Sequence, residues 1–365
     1  MRADLYSLDP WPAVLISQSE AADATHEIPL GMQDVIHRVA APAGWRVWVA
    51  LWTVYIVWGS TYLGIRVVVK TVPPLISAGA RFAAAGLIVY VFLLIRHGRA
   101  RVRLKARQVA SASIIGACLV LGGNGIASIA EQKAPSSFAA LLYASIPLWI
   151  VVLRAVARER PTSATLIGVA VGYLGVAILV LPTNRPAGVS IAEALFLCGG
   201  ALAWAIGSFF SPRLPLPDDA AVATAATTIC GGAIALIVGL FAGEGSDLRF
   251  GAISTRSLVG FVYLILIGSV VGFSAYVWLL KNAPISKVAT YAYVNPVVAL
   301  ILGWLILSEH IRLSSLIGAV VIVLSVAFVV IRESTDVGAG EGNVVPPGAG
   351  QPAARPAEKV RTGDG

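Results

Sequence analysis

The sequence predicts an all-α integral membrane protein, with ten transmembrane helices arranged as two inverted five-helix repeats around a central cavity. Three observations predict it. First, the 365 residues are 57% hydrophobic and only 13% charged, with a mean hydropathy of +0.82, against roughly 25% charged residues in a soluble domain. Second, apolar runs of about 20 residues recur, each long enough to cross a hydrocarbon core of about 30 Å as a helix. The alternating ~10-residue strands of a membrane β-barrel are absent. Third, the chain repeats itself. "KAPSSFAALLYASIPLWI" (Lys133 to Ile150) lines up with "NAPISKVATYAYVNPVVA" (Asn282 to Ala299), pairing Pro135 with Pro284 and Pro147 with Pro296. One residue out of step, "ERPTSATLIGVAV" lines up with "EHIRLSSLIGAVV", pairing Glu159 with Glu309 and Gly168 with Gly318. Two halves of five spans each must cross the membrane in opposite senses, because five is odd.

Residues 1–44 carry scattered acids and no apolar run, so they read as a poorly ordered cytoplasmic tail. Met32 is a second candidate start. The first repeat covers 45–182, with spans at about 47–68, 74–95, 109–131, 136–157 and 163–181. Trp45 and Trp48 mark the interface before the first span, and Pro73 and Pro74 open the second. The second repeat covers 190–332, with spans at about 190–211, 219–242, 257–280, 286–307 and 313–331. From 333 to 365 the chain turns to Gly, Pro, Ala and charge, and a second disordered cytoplasmic tail is expected.

Lysine and arginine near the span ends set the orientation. "RHGRARVRLKAR" after the second span is the densest basic linker, which puts it, and with it both termini, on the cytoplasmic side. The net charge of +8 sits in such flanking segments, a topology signal that argues against a nucleic-acid partner. Cys118, Cys198 and Cys230 fall inside apolar runs and read as packing residues. No Gly-Lys pair occurs, so a nucleotide-binding P-loop is excluded. The four histidines lie in tails or loops and no aspartate lies within a span, so no metal, cofactor or catalytic cluster is expected.

Pro147 and Pro296 are the expected helix breaks, since a proline in mid-helix removes a donor and frees the carbonyl four residues back. Membranes tolerate this where protein or a polar cavity re-satisfies the carbonyl. Matched interruptions recur in secondary transporters, which rock two repeats around a central site. Prolines that merely kink packed helices are the plainer reading.

Other candidates follow from depth. Arg81 lies about 10 Å into the second span, and a cation at that depth faces a cavity, a partner or a carboxylate. Glu131 is its natural protein partner, either as a substrate anchor and proton-sensitive gate or as a structural ion pair. Asn124 in "GGNG" and Asn295 beside Pro296 are amides able to bind substrate or tie helices together. Tyr62, Tyr143 and Tyr291 are aromatic cavity candidates, joined by Trp58 and Trp204 at mid-span in the first and sixth helices. Gly268 and Gly272 in "GSVVG" favour close helix packing within or between protomers, which leaves a homodimer open.

"WGSTYLGIR" (Trp58 to Arg66), Pro73-Pro74 with Arg81-Phe82, "GNG" at Gly123, "WAIGS" (Trp204 to Ser208) and "YAYVNPVVA" together resemble the drug/metabolite transporter superfamily, in particular its EamA-type ten-helix members with two EamA repeats. The resemblance implies an inner-membrane carrier that exports amino acids or related small metabolites. Its partners would be a small-molecule substrate and the lipid bilayer. The alternatives are a membrane-embedded enzyme acting on lipid, which would need clustered nucleophiles or acids at one depth, and a non-transporting structural membrane protein, which would have a dry interior.

Overall fold

The computed structural model describes residues 44–181, 183–283, 285–309 and 313–342. Apart from Gly44, the expected N-terminal tail lies outside the described residues, as does the chain beyond Gly342. Among the described residues the regular structure is helical, and eight helices are long and apolar enough to cross a membrane. Two further apolar helices, Tyr291–Leu307 and Leu316–Arg332, are shorter.

The helices are labelled in chain order. α1 is Gly44–Val68 and α2 is Pro74–His97, with Pro74 in its first turn. α3 begins as Ala106–Gly116, passes through a π-helical stretch Ala117–Gly125 and ends as Ile126–Ala130. α4 is split into α4a, Ser136–Tyr143, and α4b, Ile146–Val156. α5 is Ser163–Val180, α6 is Ile191–Phe210 and α7 is Ala220–Phe241. α8 runs from Thr255 to Asn282 and is π-helical over Leu264–Val271. α9 is split into Ile285–Val288 (α9a) and Tyr291–Leu307 (α9b), and α10 is Leu313–Gly342. α10 runs on past Arg332, where the tail was expected to begin. No proline stops it before Pro346.

Side chains of the types that favour helix starts fix several of these beginnings. Thr162 accepts from the Thr165 amide, Ser254 from Ser257, and Ser190 forms a capping box with Glu193. Asp219 accepts from the amides of Ala221 and Val222 and is bound by Arg101 of the basic linker.

The two expected breaks differ. The split in α4 falls at Ala144–Ser145, just ahead of Pro147, and the Ser145 hydroxyl donates to the Leu142 carbonyl at 2.6 Å. Pro296, by contrast, does not break its helix, because α9b continues through it and the split lies at Ala289–Thr290. Pro296 is the sixth residue of α9b, so it removes a single interior bond, to Ala292, and the helix is re-nucleated ahead of it.

Helices pair reciprocally. α1 packs against α8 and α9, while α6 packs against α3 and α4. α2 packs on α7, α5 on α10, and α4a on α9b. Several pairs are backbone-close. A Cβ on Gly231 of α7 would lie 2.5 Å from the Gly116 carbonyl oxygen of α3, and one on Gly232 would lie 2.5 Å from the Ala83 nitrogen of α2. Small residues at such crossings let helices approach in lipid, where no hydrophobic force drives them together.

Two outcomes follow. Gly231→Ala should lower the unfolding midpoint in detergent, by an overpacking cost of about 1–3 kcal/mol. Gly199→Ala, where no atom lies within 4 Å, should leave it unchanged or raise it. A midpoint unchanged in G231A would show that the α3–α7 crossing yields freely. The second concerns pH. Partial burial pushes the Asp219 carboxyl up, but Arg101 and the two amides outweigh that and hold it below the usual carboxylate value. Its stabilising effect is therefore present above the ordinary carboxylate range and is lost as pH falls through its lowered folded value. Asp219→Asn should flatten the acid limb of the midpoint-against-pH profile.

Candidate functional site

The residues singled out from sequence fall into three neighbourhoods. The first joins α1, α8 and α9b. The Trp58 ring lies 5.4 Å from Phe273, 5.1 Å from Tyr276 and 5.2 Å from Tyr291, and Tyr276 lies 5.7 Å from Tyr291. Offset and edge contacts of this kind add to burial. Trp58 is seated on a glycine, since a Cβ on Gly272 would lie 2.5 Å from its Nε1.

Trp204 repeats that arrangement in the other half. On α6, it seats on Gly123 of α3, where a Cβ would come within 2.6 Å of its ring. Each tryptophan thus occupies a notch cut by a glycine at the end of, or just beyond, the π-helical stretch of the other half. Asn124 lies in the same stretch, and its Nδ2 donates to the Leu119 carbonyl at 3.2 Å, an intrahelical role. Asn295 on α9b differs, because its buried Oδ1 has no hydrogen-bond partner.

The third neighbourhood holds the charges. Tyr143 stacks edge-on with Tyr62 at 6.0 Å and donates to the Gly123 carbonyl at 2.6 Å. Arg81 is 5% exposed; its Nε donates to Ser269 Oγ at 3.1 Å and its guanidinium lies 4.6 Å from the Phe82 ring. Arg66 donates to the backbone carbonyl of Glu131. The Glu131 side chain is fully buried, and neither carboxylate oxygen has a hydrogen-bond partner. The expected Arg81–Glu131 hydrogen bond is therefore not formed. Both charges act on each other across the cluster, and Tyr62 and Tyr143 also face Glu131.

At Arg81 the expected central cavity has no room for a substrate in this conformation. The cavity beside Arg81, lined also by Ser77, Ser128 and Leu264, has about 10 Å³, about the space of one water.

A group the sequence reading passed over closes the Glu131 end. Glu309, in the turn between α9b and α10, folds back onto the start of α4a. Its Oε1 accepts from the Ser136 amide at 2.7 Å and hydroxyl at 2.8 Å, and its Oε2 accepts from the Ser137 amide at 3.0 Å and from the Ser137 hydroxyl. A carboxylate at a helix N-terminus is favoured by the helix dipole as well as by these bonds. Glu244, in the α7–α8 connection, treats α2 likewise, accepting from the amides of Leu75 and Ile76 at 3.1 and 2.9 Å. At the other end, Glu159 is held by Arg154 Nε at 2.7 Å and by Arg213. The residue before each paired glutamate is left-handed, Arg158 at φ 63° and Ser308 at φ 53°. The repeat alignment of Glu159 with Glu309 was the available signal for this latch.

A family model described as the EamA-like transporter family matches residues 46–181 and 191–331, one match per half. The "Uncharacterized inner membrane transporter YedA" of Escherichia coli (strain K12) is 35% identical over 261 residues, covering 70% of this chain and 80% of that protein. The "Probable amino-acid metabolite efflux pump" of Salmonella typhimurium (strain LT2) is 23% identical over 278 residues, covering 74% and 89%. A solved crystal structure aligns with a TM-score of 0.55 at 17% identity, covering 79% of this chain and 98% of its own, a likeness of fold.

The latch gives a test. A Cβ on Gly303 would lie 2.5 Å from Glu309 Oε2. Gly303→Ala and Glu309→Gln should each lower the unfolding midpoint, by a cost of about 1–3 kcal/mol. The double variant should lose less than the sum, because both changes break the same contact. Additive losses would show that Gly303 does not serve the Glu309 seat.

Proposed function

The chain belongs to the EamA-like transporter family, and from that premise we propose that it is a secondary or facilitative carrier that exports amino acids or related amphipathic metabolites by alternating access. It is a multi-pass inner-membrane protein of transporter kinship. In the proposed arrangement ten spans form two inverted five-helix repeats, 45–182 and 190–332, with both termini cytoplasmic.

The observation that carries the substrate class is the pairing of Arg81 and Glu131. A buried arginine and a buried glutamate that are not hydrogen-bonded to each other match the two ends of a zwitterion. Arg81 would take the substrate carboxylate in place of Ser269, and ionised Glu131 its ammonium, gaining the partner it lacks. The aromatic set of Trp58, Tyr62, Tyr143, Trp204 and Tyr291 suits the apolar part of such a substrate, and Asn124 and Asn295 are the nearby amides. The relative named as an amino-acid metabolite efflux pump agrees with this class.

Alternating access is supported by the reciprocity of the halves. Trp58 on Gly272 and Trp204 on Gly123 exchange equivalent contacts between repeats, as rocking of two like units requires. With the cavity beside Arg81 closed and Glu309 seated, this conformation is shut at the Glu131 end, which the basic-linker topology places outside.

Uptake of labelled amino acids into proteoliposomes, with and without a pH gradient, tests the reading. An amino acid should accumulate, and Arg81→Ala, correctly inserted, should lose at least about a hundredfold in transport, the scale of losing a desolvated charge-assisted contact. Wild-type flux in R81A would remove Arg81 from the site. A lipid-modifying enzyme or a structural membrane protein predicts no flux for any member of the panel.

A further inference from the structure

We propose that Glu131 is a proton-binding site that controls the Glu309 latch: with the proton bound, the Glu131 end stays shut as seen here, and proton release unseats Glu309 from Ser136 and Ser137. The inference deepens the carrier reading and rests on it.

Burial without partners is the starting observation. Folded proteins avoid leaving an ionised carboxylate in an apolar interior without a donor, because solvation is lost and nothing replaces it. Glu131 has 0% exposure and two unpartnered oxygens. The charged and titratable groups around it come from several elements. Tyr62 and Arg66 face it from α1, Arg81 from α2, Tyr143 from α4a and Glu309 from the α9b–α10 turn. Each guanidinium makes one bond away from the Glu131 carboxyl, Arg66 to the Glu131 main-chain carbonyl and Arg81 Nε to Ser269. Lys133, two residues on, is held 2.8 Å from Glu193. A neutral carboxyl group is what this arrangement accommodates.

The link to the latch is covalent and electrostatic. Glu131 and the Ser136 amide are joined by one short turn, Gln132 to Pro135, closed by the Ala134 amide donating to the Ala130 carbonyl at 2.8 Å. Glu309 is the like charge that acts on Glu131. When the Glu131 O–H bond breaks and its proton passes to water, a second negative charge appears at one end of the turn whose other end, Ser136, seats the Glu309 carboxylate. Repulsion then works against the four bonds that seat Glu309. Arg66, already bonded to the Glu131 main-chain carbonyl, is at hand for the new charge. Each turnover would in this way tie proton release to access at one membrane face.

The test uses the full chain in proteoliposomes, with Cys118, Cys198 and Cys230 replaced by serine. Ala134→Cys, at a site with 0% exposure, reports opening through labelling by a membrane-impermeant maleimide, with Ser128→Cys as a second buried reporter. Gly251→Cys, in the open, corrects for the intrinsic reactivity of the thiol. Between about pH 5.5 and about pH 8.5 the corrected labelling should rise by more than about tenfold, within the limit of about tenfold per pH unit that one proton sets. Glu131→Gln should stay low at both pH values and Glu309→Gln should stay high at both. A pH-independent ratio in the reporter protein, or E131Q that follows the parent, overturns the proposal. Amino-acid flux alongside flat labelling defeats this inference alone. Labelling that follows pH without flux defeats the carrier reading and leaves the switch.

Discussion

In hydrocarbon, every buried polar group must find its partner within the protein, and this constraint explains most of what holds the molecule together. Helix starts that would otherwise expose amides are taken by Glu309 on α4a, Glu244 on α2 and Asp219 on α7. The split at Ala144–Ser145 is bridged by the Ser145 hydroxyl. Arg66 spends its guanidinium on a main-chain carbonyl and Arg81 on a serine. Against that background the unpartnered carboxyl oxygens of Glu131 stand out, in the company of Asn295 Oδ1, Trp149 Nε1 and Tyr173 OH. Unsatisfied groups of this kind cost stability, and a site that must accept a proton or a substrate is where such a cost has a use.

The second organising feature is exchange between the halves. α3 and α8 both contain a π-helical stretch, a geometry that recurs at functional sites. Each offers a glycine to the tryptophan of the opposite half. The two hairpins that end in Glu159 and Glu309 both turn through a left-handed residue, yet the glutamates are engaged differently. Glu309 seats on the helix start of the other half, while Glu159 is held by Arg154 and Arg213. The same motif in two settings is what a rocking pair of repeats would display when one end is shut.

Much of the fold was legible because membrane helices declare themselves by length and apolarity, and the eight long helices fall where the apolar runs put them. The repeat was legible from "IPLWI" against "NPVVA". What the repeat did not reveal was which local geometry each proline would take. Pro147 follows a split, whereas Pro296 sits inside α9b, since the preceding residues, not the proline, decide where a helix restarts. The site was legible in its members and less so in their contacts. Arg81 and Glu131 were visible as charges at membrane depth, but the Arg81 bond to Ser269 was not, because Ser269 has no signal of its own. Glu309 was visible only as the repeat partner of Glu159, because its role comes from the α4a amides that folding brings to it.

The most direct measurement of the central claim is the distance distribution between spin labels at both ends of the protein in lipid nanodiscs, one pair at Gln132 and Asp247 and the other at Arg160 and Asp218, read by pulsed electron resonance. The account predicts two distances for each pair. The populations should be anticorrelated, with the Gln132–Asp247 pair lengthening under conditions in which the Arg160–Asp218 pair shortens. A single unchanging distance at both ends, in active protein, would contradict it.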